Sequence, residues 1–201
     1  MIRQLILFSI AICLPKIMDA QKKNVALLPP SHAYTKKELQ TDRLNHNCIK
    51  RSNKTFTSRL KYYPFNVASS VQLVSFDLGK YIIDDEDSIK KINNQVLKSK
   101  LNEVKTLTLP QIDKLTDILF NYGFRGDILV IQELACYDPR NGIVFLDKNN
   151  KVVECIEICF ECRKTVQSSE KIAIGEMCDQ KLDMLKNFFK EVGIEYGTIK
   201  E

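Results

Sequence analysis

Apolar and polar residues alternate with a period of two in several stretches, and this alternation predicts β-strands. Residues 66–77 and 104–109 alternate in this way, and the first stretch is rich in β-branched side chains. Residues 126–135 are predicted to form a further strand, because the turn residues of "CYDPRNG" follow them. Strands separated by turns of this kind indicate a small, mostly antiparallel sheet.

Two other segments repeat apolar residues at helical spacing. Residues 110–121 and 176–192 are predicted to be amphipathic helices, ended by Gly123 and Gly193. The acidic run at 84–87 fits either a third helix start or a solvated loop. We expect the apolar face of the two helices to be buried on the sheet through Leu115, Ile118, Leu119, Leu182, Leu185 and Phe189.

The strongest hairpin signal is "CYDPRNGIVFLDKNNKVVECIEICFEC", residues 136–162. Residues 142–147 and 152–160 are predicted to pair antiparallel about a two-residue turn at Asn149 and Asn150. This turn would set Lys148 opposite Lys151, Val144 opposite Cys155 and Arg140 opposite Cys159. The open end of the hairpin would then gather three cysteines, which are Cys136, Cys159 and Cys162.

The N-terminal third lacks this periodicity. Residues 1–20 have a basic residue, a ten-residue apolar core and a short polar end, which predicts a secretory signal peptide cleaved before Gln21. Residues 21–66 are predicted to be a polar irregular arm, with a short helix near 35–44. Residues 67–201 are predicted to form a single α+β domain, with a central β-hairpin and two amphipathic helices packed on the sheet.

Charge and composition narrow the class of partner. Of 30 basic and 25 acidic side chains, Arg3, Lys16 and Asp19 belong to the predicted signal peptide, which leaves a net charge of +4. That charge is dispersed and forms no basic stripe, so nucleic acid is not an expected partner. No later stretch is long and apolar enough for a transmembrane segment. The expected partner is an unknown protein or a small ligand, and the oligomeric state is left open.

The hairpin motif resembles one found in exported proteins of Bacteroidota and other bacteria. Their pattern runs cysteine, aromatic residue, any residue, Pro-Arg-His, a β-hairpin, and Ile-Cys-Phe-x-Cys. This chain keeps Cys136, Pro139, Arg140, Cys159 and Cys162. It has Asn141 where many of those proteins have histidine, which weakens any scheme that uses the histidine as ligand or base. The family has no established activity, so the resemblance implies an exported protein and no particular reaction.

Three chemistries compete for the cysteines. Six cysteines remain after removal of the predicted signal peptide, and an even number of cysteines in an exported chain favours disulfides. We expect one bridge within the hairpin trio, with Cys136–Cys162 ahead of Cys159–Cys162. The third thiol of the trio would then be free or would pair with Cys178, which leaves Cys48 and Cys155 as a further pair.

The alternatives are a metal site and thiol redox chemistry. The candidate ligands for zinc or another thiophilic metal are Cys136, Cys159, Cys162 and Cys178. A redox role is disfavoured because "CFEC" follows a strand and carries a glutamate, whereas a helix N-terminus would lower the thiol pKa. The favoured expectation is therefore that no cofactor is bound.

The remaining candidate is Arg140. It could bind an anionic ligand, but a surface ion pair with Glu157 or Glu161 is the favoured interpretation. Glu154, Glu157 and Glu161 could mimic an acid/base pair, although solvated positions of a strand explain them more simply. No catalytic motif is found, so the sequence favours a non-enzymatic, cysteine-stabilised binding or interaction module. A periplasmic metal-binding or thiol-active protein is the alternative.

Overall fold

The structure is a computed structural model that describes residues 33–77, 82, 101–130 and 135–199. The chain separates into two units, residues 1–34 and 35–201, and only the second is described at length. The predicted signal peptide and the acidic run at 84–87 lie outside the described residues. Among the described residues, no helix is long and apolar enough to cross a membrane.

A five-stranded antiparallel sheet forms the centre of the larger unit. Its strand order is β3-β2-β5-β6-β7, and each neighbouring pair is antiparallel. The strands are β2 (Ser70–Phe76), β3 (Leu101–Thr106), β5 (Asn141–Leu146), β6 (Val152–Cys159) and β7 (Lys164–Gln167). A second, two-stranded sheet pairs β1 (Cys48–Lys50) with β4 (Tyr122–Phe124). The predicted α+β fold is thereby confirmed.

Helices α3 (Leu109–Asn121) and α4 (Lys181–Val192) share a core with one face of the large sheet. All six helix residues expected in the core are buried there. Burying one such aliphatic or aromatic side chain stabilises the fold by about 1.5–3 kcal/mol. The other face of the sheet has its own apolar cluster around Val74, Phe76, Val144 and Cys155. Both predicted helices are therefore core elements.

The hairpin of β5 and β6 forms as predicted, with a different turn. Val144 pairs with Cys155 and Asn141 with Ile158, which is the predicted register. Leu146 pairs with Val152, and the register shifts after Phe145, so the hairpin has a bulge. Asp147 causes the difference, because its carboxylate accepts the backbone N–H groups of Asn149 (2.7 Å) and Lys151 (2.9 Å). The loop is therefore Lys148–Asn149–Asn150, with Asn150 at a φ of 59°.

The predicted strand at 126–135 is not formed in its described part. Residues 126–130 have no strand structure, and residues 131–134 lie outside the described residues. Side chains of α1 (Lys36–Asn45) bond this backbone instead. Asn45 donates to the carbonyl of Asp127 (2.8 Å), and the N–H of Leu129 donates to Asp42 (2.7 Å). These bonds take the place of a strand ladder.

The ends of the two main helices also differ from the prediction. Helix α3 ends at Asn121 and passes directly into β4, so Gly123 is a strand residue. A Cβ at Gly123 would lie 2.2 Å from a carboxylate oxygen of Glu176, so a larger residue there would have to displace that side chain. Helix α4 starts at Lys181 rather than 176, but it ends at Gly193 with a φ of 92°, as expected.

Residues 35–66 do not form an irregular arm. The helix expected near 35–44 is α1, and it is followed by β1 and by the short helix α2 (Phe56–Arg59). Arg59 is buried and bonds α3 through the hydroxyl of Thr116 (3.1 Å) and the carbonyl of Asp113 (3.1 Å). The compact unit therefore begins at Thr35 and not at residue 67.

Candidate functional site

The hairpin cysteines converge at the turn between β6 and β7. Cys136 and Cys162 lie at disulfide distance, with their Cα atoms 5.6 Å apart. Cys159 belongs to no disulfide and is buried, and its Sγ accepts the backbone N–H of Cys162 at 3.2 Å. The antiparallel register places these residues together, as the sequence spacing indicated.

The predicted partner of Cys178 is wrong. Cys178 pairs with Cys48, at an S–S distance of 2.01 Å and across 130 residues of sequence. Cys155 is buried on the sheet and belongs to neither disulfide, so the predicted Cys48–Cys155 pair is also wrong. The four cysteines proposed as metal ligands are divided between two disulfides and one thiol. Among the described residues, no cluster of three or more His, Cys, Asp or Glu side chains could hold a metal ion.

Arg140 is engaged at the mouth of the hairpin. It donates to Glu161 at 2.7 Å, the favoured ion pair, and only 16% of its side chain is exposed. The depression beside it has no room for a water-sized molecule. Asn141, which replaces the histidine of the resembling motif, donates to the carbonyl of Tyr196 at 2.9 Å. Its role here is to hold the C-terminal segment.

Two of the three hairpin glutamates are buried, which corrects the expectation that they fill solvated positions. Glu154 accepts the hydroxyls of Tyr63 (2.7 Å) and Ser168. Burial, and then the hydrogen bond and charge of Glu154, raise the pKa of Tyr63 to about 12. Glu157 accepts the hydroxyl of Tyr137 (2.7 Å) and the N–H of Ile82. Each therefore fastens a neighbouring segment to β6.

A cleft of about 270 Å³ lies at the C-terminal end of α3. Arg51, Ser52 and Lys54, which follow β1, form one wall. Gly175 and Glu176 form the other wall, and the base carries Tyr62, Leu119, Phe120 and Tyr122. We call this cavity the α3 cleft. None of these residues was predicted to belong to a site, and Leu119 was predicted only as a core residue.

Asn121 positions the first wall. It is buried, and its side-chain oxygen accepts the hydroxyl of Ser52 (2.8 Å) and the backbone N–H of Lys54 (2.9 Å). Its backbone carbonyl also accepts the N–H groups of Arg51 and Ser52. A single residue at the end of α3 thus holds the segment that carries both cations of the cleft.

The second wall depends on Gly175 and on a disulfide. Gly175 has a φ of 67°, and a Cβ there would lie 2.1 Å from the carbonyl oxygen of Leu119, so the loop can pass here only with glycine. The Cys48–Cys178 disulfide then joins this loop to β1. Gln180 reinforces the link, since it accepts the N–H of Cys48 at 2.7 Å and donates to Asn47 at 2.8 Å.

Polar and aromatic side chains face each other across the α3 cleft. One guanidinium nitrogen of Arg51 donates to both carboxylate oxygens of Glu176, at 2.9 and 3.1 Å. The ammonium of Lys54 donates to the hydroxyl of Tyr62 at 2.7 Å and lies 4.9 Å from the centre of its ring. The rings of Tyr62 and Phe120 are 4.4 Å apart and tilted by 30°. These groups can bind charge and a flat ring.

Lys181 lies behind the α3 cleft and is fully buried. Its ammonium donates to the carbonyls of Leu119 (2.8 Å) and Tyr122 (2.7 Å), which are orphan acceptors at the end of α3. Burial lowers the pKa of Lys181 to about 8, and the nearby charge of Glu176 opposes that shift. The sequence could have indicated that Lys181 is buried, because it precedes Leu185 by four positions and so lies on the apolar face of α4.

The chain matches no protein-family model, no curated protein and no solved structure. The resemblance at residues 136–162 therefore stays a hypothesis.

Proposed function

We propose that the protein is an exported, non-enzymatic binding module, stabilised by disulfides, and that its ligand site is the α3 cleft. The observation that carries this proposal is the position of the Cys48–Cys178 disulfide. Cys48 precedes Arg51 by three residues, and Cys178 follows Glu176 by two. The disulfide therefore joins the two chain segments that form the walls of the cleft.

A covalent link at this place favours binding because it limits the separation of the two walls. A site that is already ordered loses less conformational entropy when a ligand enters. Asn121 and Gly175 fix the same walls by hydrogen bonding and close packing. The cleft also combines an apolar base with a few convergent polar groups, which is the usual composition of small-molecule sites.

A fragment screen observed by NMR tests the site. We expect compounds from a library of small soluble molecules to shift the amide signals of Ser52, Gly123 and Gly175 in the oxidised protein. Binding elsewhere, with the cleft signals unchanged throughout the library, would overturn the proposal.

The disulfide provides a matched comparison for that screen. The double variant Cys48→Ser/Cys178→Ser should bind the cleft compounds at least threefold more weakly. The double variant Cys136→Ser/Cys162→Ser removes the disulfide that does not border the cleft, and it should retain their affinity. An equal loss of affinity in both double variants would mean that the disulfides act through the overall stability of the protein, and not through the walls of the cleft.

Export is supported by the pattern of residues 1–20 and by the two pairs of cysteines at disulfide distance. Expression of the full chain in a bacterium with a periplasm should yield periplasmic protein that starts at Gln21. Peptide mass mapping without reductant would then recover both cysteine pairs. Protein retained in the cytoplasm with Met1 intact would contradict export.

A thiol-active protein is the second candidate, and the hydrogen bond from Cys162 to Cys159 favours it. The Cys159 thiolate would attack Sγ of Cys162 and form a Cys159–Cys162 bond. The Cys136–Cys162 bond would break, and Cys136 would leave as a thiolate and take up the proton lost by Cys159. The exchange is balanced and needs no external oxidant.

Alkylation of the native protein distinguishes a Cys136–Cys162 disulfide from a Cys159–Cys162 disulfide. Iodoacetamide followed by peptide mapping should label Cys136 if exchange occurs, because Cys136 is exposed whereas Cys159 is buried. The variant Cys159→Ser should abolish that label. Absence of label on Cys136 after prolonged incubation would exclude the exchange.

A further inference from the structure

Lys181 places a positive charge beneath the floor of the α3 cleft. Its ammonium would lie 3.6 Å from a Cβ at Gly175, and Gly175 lines the cleft. Both hydrogen bonds of the ammonium go to neutral backbone carbonyls, and no described carboxylate forms an ion pair with it. A buried cation that lacks a contacting counter-ion creates a positive potential at the nearest open surface.

The described side chains of the cleft do not cancel this charge. Arg51 and Glu176 neutralise each other through their two hydrogen bonds. Lys54 donates to the neutral hydroxyl of Tyr62, and no described carboxylate forms an ion pair with it. Lys54 and Lys181 therefore leave the cleft with an excess of two positive charges, one at its rim and one behind its floor.

The base of the cleft adds aromatic surface. Tyr62 and Tyr122 are half-buried and line the cleft. Leu119 and Phe120 are buried, and the ring of Phe120 packs against that of Tyr62 at 4.4 Å. A volume of about 270 Å³ is slightly below the usual range for drug-sized ligands, so it suits a compound with a single ring.

We propose that the α3 cleft recognises a small aromatic carboxylate, with the ring against Tyr62 and Tyr122 and the carboxylate between Lys54 and Arg51. This inference rests on the proposed binding function and names the ligand class of that site. Only one nitrogen of Arg51 is used on Glu176, so its guanidinium has other donors for a second carboxylate. Lys181 contributes through its field and makes no contact with the ligand.

Three probes of similar size test the charge and the ring together. Benzoate, benzamide and benzylamine share the ring and carry a negative, a neutral and a positive group at neutral pH. NMR titration at low ionic strength should show benzoate binding at the cleft at least threefold more tightly than benzamide, with benzylamine weakest. Raising the salt concentration should lower the affinity for benzoate and leave the affinity for benzamide unchanged.

The variant Lys54→Met tests the contact at the rim. It should reduce the benzoate affinity about threefold or more without changing that of benzamide, and Lys54→Arg should restore most of it. Lys148→Met, in the exposed turn between β5 and β6, is the matched control and should bind benzoate as the unmodified protein does. An equal loss of benzoate affinity in both methionine variants would mean that only the total charge of the protein matters. That result would overturn the proposed contact between Lys54 and the carboxylate.

A second readout is the titration of Lys181 itself. Bound benzoate should raise the pKa of Lys181, and bound benzamide should not, which NMR of the lysine side chain measures directly. The titration must be compared between the free and the benzoate-bound protein together with the charged and titratable groups around the ammonium. These groups are Glu176, Arg51, Lys54, Tyr62 and Tyr122. An unchanged Lys181 pKa with benzoate bound would contradict its electrostatic role.

The outcomes separate this inference from the proposed function. If benzamide or benzylamine binds the cleft as tightly as benzoate, the ligand class is wrong and the binding site stands. If none of the three probes binds the cleft and the fragment screen also fails there, both proposals are overturned.

Discussion

Lys181 shows how a single buried charge ties the helix core to the α3 cleft. Its stem packs among apolar residues while its ammonium satisfies two carbonyls at the end of α3. Keeping that ammonium charged inside the protein costs free energy, because water solvates it better in the unfolded chain. The position is therefore a compromise between capping a helix and burying a charge.

The lowered pKa of Lys181 makes folding stability depend on pH in a defined direction. The unfolded group titrates at 10.5 and the folded group at about 8, so between these values the unfolded chain binds more protons. Stability should rise from pH 8 to 9.5 by about 1–2 kcal/mol from this group alone. Denaturant unfolding at several pH values measures the slope, which Lys181→Met should remove. An identical slope in both proteins would refute this origin.

Asn121 is the second residue on which the site depends. Asn121→Ala would leave the half-buried backbone N–H of Lys54 without its acceptor and release the first wall. We expect a loss of about 1–3 kcal/mol in the free energy of unfolding, because several half-buried polar groups lose partners together. Asn149→Ala in the exposed hairpin turn is the control and should change stability little. Equal melting temperatures for both variants would show that the wall does not rely on Asn121.

Helix α4 and the β5–β6 hairpin are the elements that the sequence predicts best. Both have strong periodicity, and the strand register is fixed wherever a sheet face is buried, because a slip by one residue moves every side chain to the other face. The turn was predicted wrongly because the carboxylate of Asp147 captures two backbone N–H groups, a local contact that periodicity cannot reveal. The strand expected at 126–135 failed for the same kind of reason, since Asp42 and Asn45 bond its backbone.

The packing of α4 gives a quantitative expectation. Leu185 is almost fully buried in the core between α4 and the sheet, so Leu185→Ala should lower the free energy of unfolding by about 2–5 kcal/mol. Asn187→Ala, on the exposed side of the same helix, should lower it far less. Thermal or denaturant unfolding of the two variants measures this difference. Similar free energies of unfolding for both would mean that α4 does not pack in the core.

The two disulfides organise the molecule as a whole in different ways. Cys136–Cys162 closes a span of 26 residues around the central hairpin, whereas Cys48–Cys178 closes a span of 130 residues and joins β1 to the start of α4. The second pair and the cleft it frames were not predictable from the sequence. Residues 35–66 carry no strong period, and a contact across that separation has no local signature.

The difference in span predicts a difference in stabilisation. In the chain-entropy model, the Cys48–Cys178 disulfide contributes about 5 kcal/mol and Cys136–Cys162 about 3.5 kcal/mol. Guanidinium unfolding of the two double serine variants should therefore show the larger loss for Cys48→Ser/Cys178→Ser. The reverse order would mean that native packing, rather than restriction of the unfolded chain, decides the effect.

The long span of the Cys48–Cys178 disulfide also sets an order of events during biosynthesis. Synthesis runs from the N-terminus, so Cys48 is made 130 residues before its partner. In that interval four other thiols, those of Cys136, Cys155, Cys159 and Cys162, emerge before Cys178. An oxidant that joins cysteines in the order of their appearance would give Cys48 a wrong partner. The Cys48–Cys178 pair that frames the α3 cleft can therefore form only after Cys178 has been made, late in the synthesis of the chain.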